Sequence, residues 1–194
     1  MRQKALTRKT AETSISLDFS IDGTGETNIQ TGVGFFDHML TLFTKHGLFD
    51  LTVNCDGDIE VDQHHTVEDI GIVLGQAFAE SIGTKAGIER YATVSVPMDE
   101  ALSTVSLDIS GRSFLVYHVE GLKDKVGDFD TELIEEFFHA FTSHAKVTLH
   151  INLAYGKNTH HMIESIFKAF GRALRDASSI NPEVKGIPST KGLL

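Results

Sequence analysis

Ile15-Ser16-Leu17-Asp18-Phe19-Ser20 alternates apolar and polar residues, the two-residue period of a strand that buries one face. The pattern returns almost unchanged as Val105-Ser106-Leu107-Asp108-Ile109-Ser110. Further along, Phe35-Phe36 opens a helical pattern that Phe137-Phe138 echoes. Each helix gives way to a strand, Leu51-Thr52-Val53 in one case and Thr148-Leu149-His150-Ile151 in the other. His64-His65-Thr66-Val67-Glu68 and His160-His161-Met162-Ile163-Glu164 then each open an amphipathic helix, reaching to about Ile82 and Ala177. The matches keep their order, at offsets between 90 and 102 residues. Ordered repetition across half a chain marks a duplication.

Each half reads strand, strand, helix, strand, helix. Gly23 and Gly25 mark a hairpin turn between the first two strands, and Gly111 sits at the matching point of the second half. The expected fold is α+β and internally duplicated: two pseudo-symmetric β-β-α-β-α units, with helices packed on a mixed sheet. The repeats cover about 1–90 and 91–180 of a single domain spanning 1–194, and meet near residues 88–94. The tail, 181–194, holds Pro182, Gly186, Pro188 and Gly192 and should be irregular.

Composition narrows the class. With 41% hydrophobic and 23% charged residues over 194 positions, a sizeable core is expected. No apolar run approaches the roughly 20 residues that span a bilayer; the best, Ile70 to Ala79, is broken by Gly71, Gly75 and Gln76. The basic start, Met1 to Thr10, leads into polar residues, so no signal peptide is expected. Cys55 is the only cysteine, which excludes an internal disulfide and a thiolate zinc site and makes a reducing, cytoplasmic setting the default. A formal charge of -10 argues against nucleic-acid binding. It leaves room for a small anion held by a few arginines and lysines.

The ten histidines are the compositional oddity, and seven of them (His38, His46, His64, His65, His144, His160, His161) fall in paired positions. Residues four apart share a helix face, and neighbours point about 100° apart. His64 can therefore join Glu68 on one ion, and His160 can join Glu164, while His65 and His161 point elsewhere. Two halves related by a pseudo-twofold could complete each other, which favours two metals over one. Aligning Phe43 with Phe141 and His46 with His144 sets Glu136 opposite His38 as a further ligand. Glutamates in an acidic helix such as Glu132-Glu135-Glu136 are usually solvated, so Glu136 has the weaker claim. Imidazole and carboxylate without thiolate suit Mn²⁺ or Fe²⁺. His118, His139 and His150 have no matched partner and read as structural or exposed.

Phe35-Phe36-Asp37-His38-Met39-Leu40, Asp62-Gln63-His64-His65-Thr66-Val67-Glu68-Asp69 and Gly156-Lys157-Asn158-Thr159-His160-His161-Met162-Ile163-Glu164-Ser165 resemble the imidazoleglycerol-phosphate dehydratase family, as do Phe167-Lys168-Ala169-Phe170 and Pro188-Ser189-Thr190-Lys191-Gly192. The resemblance runs from about Ala11 to the C-terminus. It implies a fold of the ribosomal protein S5 domain 2-like kind and dehydration of imidazole glycerol phosphate to imidazole acetol phosphate, the sixth step of histidine biosynthesis. It also implies two Mn²⁺ per active site and a homo-oligomer, a 24-subunit shell built from trimers with active sites between subunits. Carried over, the ligands are His38, His65, His160 and Glu164 for one ion, and His64, Glu68, His161 and Glu136 for the other. Many relatives have His where this chain has Glu136. If the substrate imidazole binds metal as an imidazolate, its hydroxyl can leave through a diazafulvene-like intermediate. Glu12, Glu68 and Glu164 are the catalytic carboxylates so implied, with Glu12 nominated as acid/base. Arg90, Arg112, Ser189, Thr190 and Lys191 fall where the family holds phosphate, and Lys168 and His46 join the substrate contacts.

Two rivals stand beside this reading. A dimetal phosphate-ester hydrolase would keep its phosphate-binding residues near the metals. A metal-storage shell would need the ligands but not Glu12, Arg90 or Arg112.

Overall fold

The computed structural model describes residues 2–194. The first half runs β1 (Gln3–Lys9), β2 (Thr13–Ser20), β3 (Thr27–Gln30), α1 (Gly34–Gly47), β4 (Asp50–Gly57) and α2 (His64–Ile82). The second runs β5 (Tyr91–Met98), β6 (Ala101–Asp108), β7 (Phe114–His118), β8 (Lys125–Val126), β9 (Phe129–Asp130), α3 (Leu133–Ala145), β10 (Thr148–Tyr155) and α4 (Thr159–Ser178). The duplicated α+β fold is as expected, but each half opens with one strand more than the pattern suggested. The missed strands are β1 and β5, whose side chains alternate between half-buried and exposed. Each is an edge strand, and β5 carries Pro97, which edge positions tolerate.

The expected hairpin at Gly23 and Gly25 is corrected too. The strand orders are β1-β2-β4-β3 and β5-β6-β10-β7, so β4 lies between β2 and β3, and β10 between β6 and β7. β3 and β7 pair in parallel with β4 and β10, which otherwise pair antiparallel with β2 and β6. Gly25 and Gly111, at φ 92° and 74°, therefore turn the chain over a sheet rather than back along a neighbour.

Register also refines the repeat. Leu17 faces Val53 as Val105 faces Ile151, and Leu6 faces Leu17 as Val94 faces Val105. Leu17 is thus the equivalent of Val105, two residues from the match that the strings suggested. A slip of two leaves every side chain on its own face, so alternation alone could not expose it. The offset grows before α3 because the second half inserts the small β8–β9 hairpin there.

Helices α1 and α2 pack on the first sheet and α3 and α4 on the second, yet their main helical partners cross between the halves. α2 lies along α3 and α1 along α4. Phe43, Phe137, Phe138, Phe141, Phe167 and Phe170 meet between the layers with no exposed surface, in one cluster continuous through both halves. At the tightest points the helices touch through glycine. A Cβ on Gly75 would stand 2.6 Å from the Phe141 carbonyl oxygen, and one on Gly171 would press on the carbonyl of Phe43. No regular helix or strand follows Ser178.

Candidate active site

Crossed helix packing decides which ligands meet. α1 supplies His38, α4 supplies His160 and Glu164, and one donor atom from each lies within 4.8 Å of the others. Nε2 of His160 stands 3.6 Å from Glu164 Oε2, as their spacing of four predicts. The His38 and His160 rings are 5.5 Å apart, and the edge of Phe35 supports His160 from 5.3 Å. Among the described residues no other three His, Cys, Asp or Glu side chains converge so closely. The trio draws on both halves of the chain.

Its electrostatics suit a cation. Burial works to raise the Glu164 pKa, but Lys168, with Nζ 2.9 Å from Oε1, and the nearby His38 and His160 bring it below the ordinary value. Burial lowers the His160 pKa from its ordinary value, which favours the neutral ring that can donate a lone pair. His46, on α1, is likewise held low by burial and by the nearby Lys168 and Arg172 of α4.

The counterpart set is looser. His64 Nε2 lies 3.5 Å from Glu68 Oε2 at the open start of α2. Glu136 is exposed on α3, and among the described residues no third ligand closes on the pair as His38 does in the other half.

The second histidine of each pair points away, as the 100° rule requires, and finds a carboxylate that sequence reading missed. Nδ1 of His65 lies 3.0 and 3.2 Å from the two oxygens of Asp58, contacts that an Nδ1–H donor satisfies. Its Nε2 lies 3.6 Å from Glu12 Oε1. Nδ1 of His161 lies 2.8 Å from Glu100 Oε2, while Glu100 Oε1 accepts the Lys157 and Asn158 N–H groups at 3.1 and 2.7 Å. These carboxylates raise both imidazole pKa values. The His161 contact, then the Asn158 N–H, draw Glu100 down to about 2. Asn158 caps α4 by accepting the His160 and His161 N–H groups, and Asp62 accepts the His64 N–H at 2.7 Å.

Arg90, Arg112, Ser189, Thr190 and Lys191 line one cleft of about 950 Å³, together with Ser110 and Tyr91. Arg90 is fixed there. Nε and Nη2 donate to the two oxygens of Asp108 at 2.8 and 3.2 Å, and Nη1 donates to the Pro188 carbonyl at 2.7 Å. Asp108, which sequence reading took only as part of a repeated strand, thus holds one predicted anion ligand and, through it, the tail. Arg112 is open, with 69% of its side chain exposed. His118, His139 and His150 are exposed, as expected.

Comparison with known proteins identifies the family and the fold. The sequence profile of imidazoleglycerol-phosphate dehydratase matches residues 31–174. The chain is 66% identical to the imidazoleglycerol-phosphate dehydratase of Oceanobacillus iheyensis, with each covered in full, and 58% identical to that of Clostridium novyi over 96% of this chain and 95% of that one. Its fold superposes on the crystal structure of the Staphylococcus aureus dehydratase with a TM-score of 0.84 at 46% identity, covering 92% of this chain and 99% of that chain. IGPD from Pyrococcus furiosus gives 0.83 at 34% identity, over 97% and 100%. Among the described residues no helix is long and apolar enough to cross a membrane. With two histidine pairs on two helix starts, a converged His-His-Glu trio and a basic cleft beside the tail, the chain belongs to the imidazoleglycerol-phosphate dehydratase family, and it is a hydro-lyase.

Proposed function

We propose that the chain dehydrates imidazole glycerol phosphate to imidazole acetol phosphate with two Mn²⁺ per active site, in the cytoplasm, as a homo-oligomer whose sites form between subunits. The observation that carries this reading is the convergence of His38, His160 and Glu164 on one point. Two imidazoles and a carboxylate without thiolate fit Mn²⁺, and burial favours the neutral His160 ring that ligation needs. Divalent ions bound there would draw charge from the substrate imidazole and ease loss of its carbon-bound proton.

The ligand sets are His38, His65, His160 and Glu164 for one ion, and His64, Glu68, His161 and Glu136 for the other. His65 stands outside the trio, held by Asp58, so a second copy of the chain must bring it there. A homo-oligomer with sites between subunits meets that need, and the family resemblance makes it a 24-subunit shell built from trimers. Glu12 is exposed beside Nε2 of His65, where it can take and return the substrate's protons. Lys168 and His46 border the trio and would orient the substrate, while Arg112, Lys191 and Ser189 offer the phosphate donors that Arg90 has largely committed to Asp108 and Pro188.

Chelation tests the whole reading. Stripping the metal should abolish dehydration and dissolve large assemblies, and Mn²⁺ should restore both. A metal-free shell with full activity overturns it, and phosphate release from the substrate would point to the hydrolase instead.

A further inference from the structure

The first hairpin of each half turns on two residues. Thr10 N–H bonds the Thr13 carbonyl at 2.9 Å around Ala11-Glu12, and Met98 pairs with Ala101 around Asp99-Glu100. In the register that superposes the halves, Glu12 and Glu100 are the same position. Both face the second histidine of their own half's pair, but on different nitrogens. Glu100 reaches Nδ1 of His161, whereas Glu12 lies toward Nε2 of His65. The difference traces to the residue that follows the last strand of each half. After β4 it is Asp58, which occupies Nδ1 of His65; after β10 it is Gly156, which has no side chain to offer.

We propose that Asp58 and Glu100 are the positioning residues of His65 and His161. Each accepts the Nδ1–H and so turns Nε2 outward as a metal donor, and Asp58 thereby leaves Glu12 free for proton transfer. The inference rests on the metal reading above. Its physical basis is general: a ligating imidazole is fixed in tautomer and orientation by what its other nitrogen donates to, and loss of that partner weakens metal binding by about 10–100-fold. Both carboxylates are at least two-thirds covered, with 20% and 33% of their side chains exposed, so neither contact is a mobile surface pair. Glu100 adds a second fixing, since its other oxygen ties the hairpin to the turn that begins α4.

The test is Mn²⁺ titration of metal-free protein, with free Mn²⁺ read by electron paramagnetic resonance. Glu100→Gln and Asp58→Asn should each weaken binding about 10–100-fold. Glu12→Gln should bind Mn²⁺ as the parent does. In a His161→Ala background Glu100→Gln should cost nothing more, and in a His65→Ala background Asp58→Asn should cost nothing more. Parental affinity in both carboxylate variants overturns the proposal. So does a loss that persists in full without the histidine, because the carboxylate then acts on the fold rather than through the ring. A Glu12→Gln loss as large as that of Asp58→Asn overturns the division of labour. A parent protein that takes up no Mn²⁺ overturns the metal reading itself.

Discussion

Gly75→Ala and Gly171→Ala set two opposing effects against each other. Inside a helix, replacing Gly by Ala stabilises by about 0.5–1 kcal/mol through reduced backbone freedom. The added methyl group must also fit. On Gly75 it would stand 2.6 Å from the Phe141 carbonyl oxygen and 2.9 Å from the Ala145 nitrogen, where ordinary contact begins near 3.4 Å. On Gly171 it meets the Phe43 carbonyl and stands 3.1 Å from the Gly47 nitrogen. These are backbone atoms, so no rotamer change relieves the contact. The facing helices must separate by most of an ångström, and overpacking of that kind costs about 1–3 kcal/mol. Rigid neighbours place the cost at the upper end, leaving a net loss of about 2 kcal/mol and a fall in melting temperature of about 4–8 °C at this chain length. Differential scanning calorimetry of the metal-free protein measures it. Because α1 bears His38 and α4 bears His160 and Glu164, Gly171→Ala should also spread the trio and weaken Mn²⁺ binding. A variant that melts at or above the parent would show that propensity wins, and the close-packing argument would fail.

Glu12→Gln should lower kcat by about 10²–10⁴ with KM largely kept, as befits an acid/base group; near-normal turnover removes Glu12 from the mechanism. Arg112→Ala should raise KM by about 10-fold or more through one lost charge-assisted phosphate contact, with the melting temperature unchanged, since its side chain is 69% exposed. Burial pushes the Cys55 thiol up to about 11, so a thiol-exchange reagent at pH 8 should label the folded protein far more slowly than the unfolded one, and rapid labelling would contradict that burial. The Thr24 N–H, aided by that of Glu26, holds the Asp50 carboxyl below its ordinary value of 3.8. A depressed folded pKa contributes stability above the unfolded value and loses it as pH falls through the folded one. The melting gap between parent and Asp50→Asn should therefore be open at pH 7 and close below pH 3.8; a gap independent of pH would refute the assignment.

What the sequence made legible follows a physical rule. Strands buried on one face, such as β2 and β6, announce themselves by alternation, and helices α2 and α4 begin where their histidine pairs stand. β1 and β5 stayed hidden because edge strands bury little; Lys4, Arg8 and Lys9 made the first look like a polar leader. The false hairpin arose because Gly23 and Gly25 mark that the chain turns, without saying which strand it turns toward. At the site, His160 with Glu164 was readable from spacing within one helix, whereas the arrival of His38 depended on which helices cross. Asp58 and Glu100 were missed for another reason. Their meaning lies in equivalence to other positions, and the string match, slipped by two residues, set Glu100 against the wrong partner.

The crossed pairing of α1 with α4 and α2 with α3 also bears on how the chain reaches its fold. Every helix emerging from the ribosome in the first half lacks its main partner until the second half has been made. The Phe43 face must wait for Phe170, and the Phe78 face for Phe141. Such pairings close long loops, which slows folding and leaves apolar helix faces uncovered meanwhile. The duplicated halves are thus an obligate pair, in which neither repeat holds a complete core of its own.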